Sequence, residues 1–306
     1  MLYPKALQKG DTIGIVAPAS SVNMYCLRMA IPFFEKMGLQ VKLGNNVDAV
    51  YGYLAGTDEQ RLTDFHEMIE DPDVKGIIFA RGGYGTGRIA TSIDYEKIRN
   101  NPKIIWGYSD ITYLHTAIHQ QTGLVTFHGP MPASDIADPN FDEVSASMFT
   151  QLWKETELCY TEEMGPLHVI GSGIATGELV GGNLSLIVST LGTQYEIDTS
   201  GKLLFLEDID EVPYRVDGML NQLKLAGKLD EAVGIVVGDF AKSEPKKEPS
   251  LTLQEVFDHY LGGLGSPVMS GFKIGHCYPH FAVPLGVEAT LDTFGKLLRV
   301  APGVRE

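Results

Sequence analysis

Cysteine is scarce. The 306 residues include only three, Cys26, Cys159 and Cys277, which lie far apart with no CxxC pair. That excludes a disulfide framework and a zinc ribbon and fits a reducing compartment. Positive charge is also short: Lys+Arg 24 against Asp+Glu 39 leaves −15, a field that opposes nucleic acid and anionic membrane. An anionic substrate must then be held by local groups. No uncharged apolar run approaches the ~18 residues of a membrane span. The N-terminal MLYPKALQKGDT has charges and a proline where a secretory signal needs an apolar centre. These absences predict a cytoplasmic protein with no membrane or nucleic-acid partner. What remains is an ordinary globular composition, 44% hydrophobic and 21% charged, in a chain long enough for about two domains.

The first third alternates short apolar runs with amphipathic helical spacing, which predicts a parallel α/β sheet. TIGIVA at 12–17 is a strand apolar on both faces, and Met24 to Met37 has helical spacing closed by Gly38. Thr57 and Gln60 form a capping-box pair before a helix expected to bury Leu62, Phe65, Met68 and Ile69. VKGIIFA, KIIW and LVTFH read as further strands, with helices expected around Gly87 to Arg99 and from Asp110 to Gly123. The pattern weakens between Pro130 and Ile170, which suggests a first domain over 1–145, a connection over 146–170 and a second domain over 171–306. IATGELV, KLLFLE and GIVVGD are strands of a second α/β unit. The tail of short strands and Gly/Pro turns is closer to a small barrel or mixed sheet.

Three places offer chemistry. In KIIWGYSDITYLHTAIHQQTG a strand ends at Trp106, and Ser109 and Asp110 open a helix, an arrangement similar to a nucleophile elbow whose free amides face a developing oxyanion. It lacks the second glycine of G-x-S-x-G, and a Ser or Asp at that position also serves as a plain N-cap. ARGGYGTGR at 80–88 supplies an anion-binding turn in which Gly82 and Gly83 let amides approach a ligand and Arg81 can hold a carboxylate. Its Gly85, Gly87 and Ala90, with Asp110 further on, also satisfy a relaxed dinucleotide pattern, a rival function.

A serine nucleophile needs a base and an acid that orients it. His115 and His119 stand at i, i+4 but lack a third ligand, so helix packing is the simpler reading and no metal is assigned. His66 sits among acidic residues on a helix. His276 follows a glycine on an irregular turn, and Cys277 beside it has no helix N-terminus to activate it. Glu207 ends a strongly apolar strand, crowded by Asp208, Asp210 and Glu211. From these residues alone Ser-His-Glu is one possibility among several.

Taken in order, GDTIGIVAPAS, ARGGYG, WGYSDIT, FHGPM, GELVGGNLSL, LLFLEDIDEVPYRVD and GFKIGHC resemble the LD-carboxypeptidases. These are serine peptidases of muropeptide recycling, a family that also holds the microcin C immunity peptidases. The likeness runs from about residue 5 to 300 and is nearest to the Gram-positive muropeptide branch. It implies a Rossmann-like N-terminal domain and a smaller C-terminal domain with barrel character. It implies Ser109 as nucleophile, His276 as base, Glu207 as triad acid, and the amides of Gly83 and Asp110 as oxyanion hole. Arg81, Gly82 and Asn183 fall on the substrate cleft. The implied substrate is a muropeptide losing a C-terminal D-amino acid or, alternatively, an aminoacyl or peptidyl nucleotide. No cofactor is implied, and a homodimer is.

Overall fold

Five parallel strands and one antiparallel edge strand build the first sheet. β1 (Thr12–Val16), β2 (Gln40–Leu43), β3 (Val74–Phe79), β4 (Ile104–Gly107) and β5 (Thr126–His128) are followed, late in the chain, by β12 (Val283–Leu285). The order is β12-β5-β4-β3-β1-β2, with only β12 antiparallel. Strand order reverses between β1 and β3, and in open α/β sheets the crevice at such a reversal, outside the carboxyl ends of the strands, is where ligands bind. The loops after β1, β3 and β4 are APASS, ARGGYG and YSD. Their place in the topology marks them before any chemistry is considered.

The computed structural model describes residues 1–306, which divide into two units. One is Met1–Thr156 with Phe281–Gly286 and Pro302–Glu306, and the other is Glu157–His280 with Val287–Ala301. In the first, Phe65, Phe79, Ile105, Leu114 and Ile118 fill the core between sheet and helices. Helix Asp58–Glu70 starts with the expected capping box, Gln60 N donating to Thr57 Oγ1 at 3.2 Å and Thr57 N to Gln60 Oε1 at 2.9 Å. It buries Arg61 and Asp64 along with Phe65, Met68 and Ile69, whereas Leu62 is only partly buried. The helix expected over Gly87 to Arg99 is broken into Thr86–Ile89, a 3₁₀ turn and Tyr95–Asn100. Asp94 causes the break, because its carboxylate caps the second piece through Glu96 N and Lys97 N at 3.1 and 3.2 Å.

The second unit carries an eight-stranded mixed sheet that curls into a half-barrel. Its strands are β6 (Leu158–Thr161), β7 (His168–Gly171), β8 (Ile174–Asn183), β9 (Leu203–Ile209), β10 (Gly234–Ala241), β11 (Val268–Ser270), β13 (Glu288–Asp292) and β14 (Leu297–Val300). β8, β9, β10 and β11 run parallel, flanked by antiparallel β13, β14 and β6 on one side and β7 on the other. Leu204, Leu206, Val216, Leu220, Ile235 and Val256 form its core.

The domain limits drawn from the sequence differ from these units in two respects. Residues 158–171 are not a connection but supply β6 and β7, whose strand character is masked by Pro166 and the acidic run between them. The tail does not stay in the second unit: β12 pairs with β5, and Ala6 N donates to Arg305 O at 2.8 Å, returning both segments to the first. Such long-range pairings leave no local mark in the sequence.

Candidate active site

Ser109 has φ +65, a left-handed backbone that non-glycine residues seldom adopt. The residues around it explain how the strain is held. β4 ends at Gly107, whose carbonyl accepts from His115 Nε2 at 2.8 Å and from Gly129 N at 3.2 Å. Tyr108 is buried, and its hydroxyl donates to Asp135 Oδ1 at 2.7 Å. Beyond the serine, the 3₁₀ turn Ser109–Ile111 runs into helix Thr112–Thr122, which ends at Gly123 with φ +73. The strand-turn-helix is therefore clamped on both sides of a partly exposed hydroxyl.

Gly82 packs directly on this turn. A methyl there would lie 3.0 Å from Ser109 Cβ, 3.2 Å from Ser109 Oγ and 3.3 Å from the Asp110 amide nitrogen. Gly83 has φ +117, and a methyl on it would fall 2.4 Å from Ser20 Oγ. Glycine is required at Gly83 by conformation and at both positions by space. Arg81 is half-buried: its Nη1 donates to Ser21 O at 3.3 Å, no carboxylate pairs with it, and its Nε has no partner. A guanidinium without a counter-ion beside two amide-presenting glycines suits a carboxylate ligand. Ser20, in the loop after β1, was not singled out in the sequence. Its position at the strand reversal was the available signal.

The same loop disposes of the dinucleotide pattern. Gly85 O accepts from Arg61 Nη1 at 2.9 Å, and the ring of Tyr113 lies against Gly87. The Thr86 amide that would face a pyrophosphate donates instead to Asp110 Oδ2 at 3.0 Å, while Thr86 Oγ1 donates to Asp110 O at 2.6 Å. Asp110 is buried, which pushes its carboxyl up, opposed by these Thr86 bonds. Its buried carboxylate ties the Gly-rich loop to the serine turn and is engaged there, where a dinucleotide site would need it turned to a ribose hydroxyl.

In the second unit Glu207 and His276 meet. Glu207, near the end of β9, is 0% exposed, and His276 Nδ1 lies 2.8 Å from its Oε2. Gly275, at φ +128, brings the imidazole in; a methyl on it would sit 2.7 Å from Glu207 Oε2. Asp239 N donates to Ile274 O at 3.0 Å and so fixes the same loop to the end of β10. The Asp239 carboxyl is pushed up by burial, offset by Lys273, and stands within electrostatic reach of Glu207 and His276. Asp239 is a second residue that sequence reasoning passed over. Cys277 is half-buried, its Sγ 3.6 Å from Pro279 O.

Asn183 is 3% exposed and fully engaged. Its Oδ1 caps helix Leu184–Thr190 by accepting from Leu186 N at 3.3 Å and from Ser185 Oγ at 2.8 Å, and its Nδ2 donates to Asp208 Oδ1 at 3.0 Å. Asp208 also accepts from Ser185 N and Ile209 N, and burial first and Glu207 second push its carboxyl up to about 6. Asn183 thus braces the strand end that carries Glu207. His66, by contrast, serves the first unit's packing by accepting from Asp94 N at 3.1 Å, and His119 Nδ1 bonds Leu124 O at 3.1 Å. A cleft of about 730 Å³ in the second unit, between the start of helix Pro213–Leu225 and the loop at 245–251, includes neither Glu207 nor His276.

Two domain families and several known proteins match the chain. Residues 13–129 match the LD-carboxypeptidase N-terminal domain, and residues 176–291 match the LD-carboxypeptidase C-terminal domain. A probable murein peptide carboxypeptidase of Bacillus subtilis is 56% identical over 304 residues, 99% of this chain and 95% of that protein. The crystal structure of a muramoyltetrapeptide carboxypeptidase from Oxalobacter formigenes superposes with a TM-score of 0.85 at 30% identity, covering 96% of this chain and 99% of the other. MccF in complex with glutamyl sulfamoyl guanosine superposes with a TM-score of 0.91 at 25% identity over 100% of both chains. With both domains matched in order, the chain belongs to the LD-carboxypeptidase family of serine-type peptidases.

Proposed function

We propose that this protein removes the C-terminal D-Ala from murein tetrapeptide, L-Ala-γ-D-Glu-meso-diaminopimelate-D-Ala, through Ser109, His276 and Glu207. The observation that carries the proposal is the left-handed Ser109 at the carboxyl end of β4, packed against Gly82. The 56% identity to a probable murein peptide carboxypeptidase supports the substrate class. His276 takes the proton from Ser109 Oγ as that oxygen bonds to the diaminopimelate carbonyl carbon. Glu207, on Nδ1, fixes the tautomer and stabilises the imidazolium. The amides of Gly83 and Asp110 receive the oxyanion, where loss of one donor costs about 3–4 kcal/mol. His276 then returns the proton to the leaving amine as the C–N bond breaks, and water resolves the ester by the same steps. Arg81 holds the terminal carboxylate that distinguishes an exopeptidase substrate.

Ser109 belongs to the first unit and Glu207 and His276 to the second. The proposal includes a cytoplasmic homodimer, which sedimentation tests. Mass spectrometry of the tetrapeptide after incubation with the parent and with Ser109→Ala tests the reaction. Loss of D-Ala with the parent alone is the expected result, and equal loss with the variant refutes the nucleophile. The likeness to MccF favours one second substrate class, aminoacyl nucleotides, and cleavage of those alone would replace the murein assignment.

A further inference from the structure

Two tyrosines stand at the rim of the first unit. Tyr53 and Tyr84 are 64% and 54% exposed, and their rings meet edge to face with centroids 5.6 Å apart. Rings kept in water by rigid mounts mark a recognition surface, since burial gains them little. Both mounts are rigid. Tyr53 is at the tip of a tight turn in which Tyr51 and Leu54 exchange backbone bonds of 2.9 and 3.0 Å, with Gly52 at φ +60 between them. Leu54 is buried and bridges to Ser20, and Ala55 N donates to Ala19 O at 2.9 Å. Tyr84 sits between Gly83 and Gly85, at φ +117 and +129, and its amide donates to Ser20 Oγ at 3.1 Å. Ser20 therefore anchors both rings, and Gly82, two residues before Tyr84, is the residue packed on Ser109.

Charge is arranged around the pair. Arg88 donates from Nε and Nη2 to the two oxygens of Asp58, each at 3.0 Å, leaving Nη1 without a protein partner. Arg61 donates to the same carboxylate. Arg61 is fully buried and also faces the Asp110 carboxylate, so the charge presented to solvent is the half-exposed Arg88–Asp58 pair, one guanidinium and one carboxylate side by side, with Arg88 within electrostatic reach of both phenols. Phenol oxygens and ring faces take an ammonium, and a guanidinium takes a carboxylate. A group bearing both on one carbon is an amino-acid head, and the side chain of a diaminodicarboxylic acid ends in one.

We infer that Tyr53, Tyr84 and Arg88 form the subsite for the zwitterionic side-chain head of the residue whose carbonyl Ser109 attacks. They select diaminopimelate over lysine, whose side chain offers only an ammonium. The assignment rests on the carboxypeptidase reading of Ser109.

The test uses two tetrapeptides that differ only in meso-diaminopimelate or L-lysine at the third position, with kcat and KM measured for each. The parent favours diaminopimelate by about tenfold or more, mainly through KM, as a charge-assisted hydrogen bond predicts. Arg88→Gln brings the ratio towards one, and Tyr53→Ala narrows it in part. Arg88→Lys, which keeps the ion pair with Asp58 but loses the fork, also narrows it and guards against loss of the fold. Each ratio is taken on one protein, so differences in active fraction cancel. A ratio unchanged by these substitutions, or an equal loss on both peptides, overturns the subsite. A parent that cleaves both peptides equally overturns it too and leaves the carboxypeptidase reading standing. A parent that cleaves neither refutes that reading and the subsite with it.

Discussion

His276 Nδ1 lies 2.8 Å from Glu207 Oε2, and nothing but a glycine could precede that histidine in this backbone. Gly275 has φ +128, and a methyl on it would be 2.7 Å from the Glu207 oxygen and 3.0 Å from Glu207 Cβ. The pairing of base and acid is thus a property of a turn as much as of two side chains.

Gly275→Ala is expected to lower kcat by about 10²-fold, because a displacement near 1 Å is enough to misalign the imidazole. Stability should fall by about 1–2 kcal/mol from the left-handed backbone alone. Steady-state kinetics beside urea unfolding would separate the two effects. A variant with parental kcat would show that the turn does not position His276.

Ser109→Gly makes the opposite trade. Relief of φ +65 should raise unfolding free energy by about 1 kcal/mol while removing the hydroxyl. The expected outcome is a higher urea midpoint with no turnover, whereas Ser109→Ala gains no stability because alanine keeps the strain. A midpoint at or below that of the parent would mean that the turn is not strained by its serine.

Much of this was legible because the strands that carry Ser109 and Glu207 are short, apolar and bounded by glycine or acidic residues, signals with a local cause. Asn183 was marked through the resemblance, as a cleft residue, and its burial against Asp208 was not legible, since the register of Asn183 with Glu207 is set by β8–β9 pairing. Ser20 and Asp239 were missed for the same reason. Their neighbours Gly83 and Ile274 are remote in sequence and meet them only through sheet order. The return of Phe281–Gly286 to the first unit depends on pairing between β12 and β5, which no periodicity within either segment announces.

Acid sensitivity should trace in part to His115. It is buried and donates to Gly107 O, and burial lowers its pKa from 6.5 to about 4. Between those values the unfolded chain binds a proton that the folded protein refuses. The stability His115 contributes is therefore complete above 6.5 and is lost as pH falls towards 4. His115→Gln keeps an N–H donor without titrating. From about pH 7 to about pH 4 the parent should lose roughly 3 kcal/mol more than this variant. Parallel stability curves would refute the assignment.

Asp208 should act with the opposite sign. Its carboxyl is pushed from 3.8 up to about 6, by burial first and Glu207 second, so the folded protein binds the proton more readily than the unfolded chain. Its contribution is present below 3.8 and is lost as pH rises through about 6. Asp208→Asn removes this dependence. The advantage of the parent over the variant should be larger at about pH 4 than at about pH 7 by roughly 2 kcal/mol, measured by denaturant unfolding at both. An advantage that is constant, or that grows with pH, would sink the prediction. Asn183 Nδ2, Ser185 N and Ile209 N all donate to this side chain, and an amide has only one oxygen to receive them. A carboxylate that costs stability at neutral pH is retained here because it can accept from all three donors and so hold the end of β9 that presents Glu207.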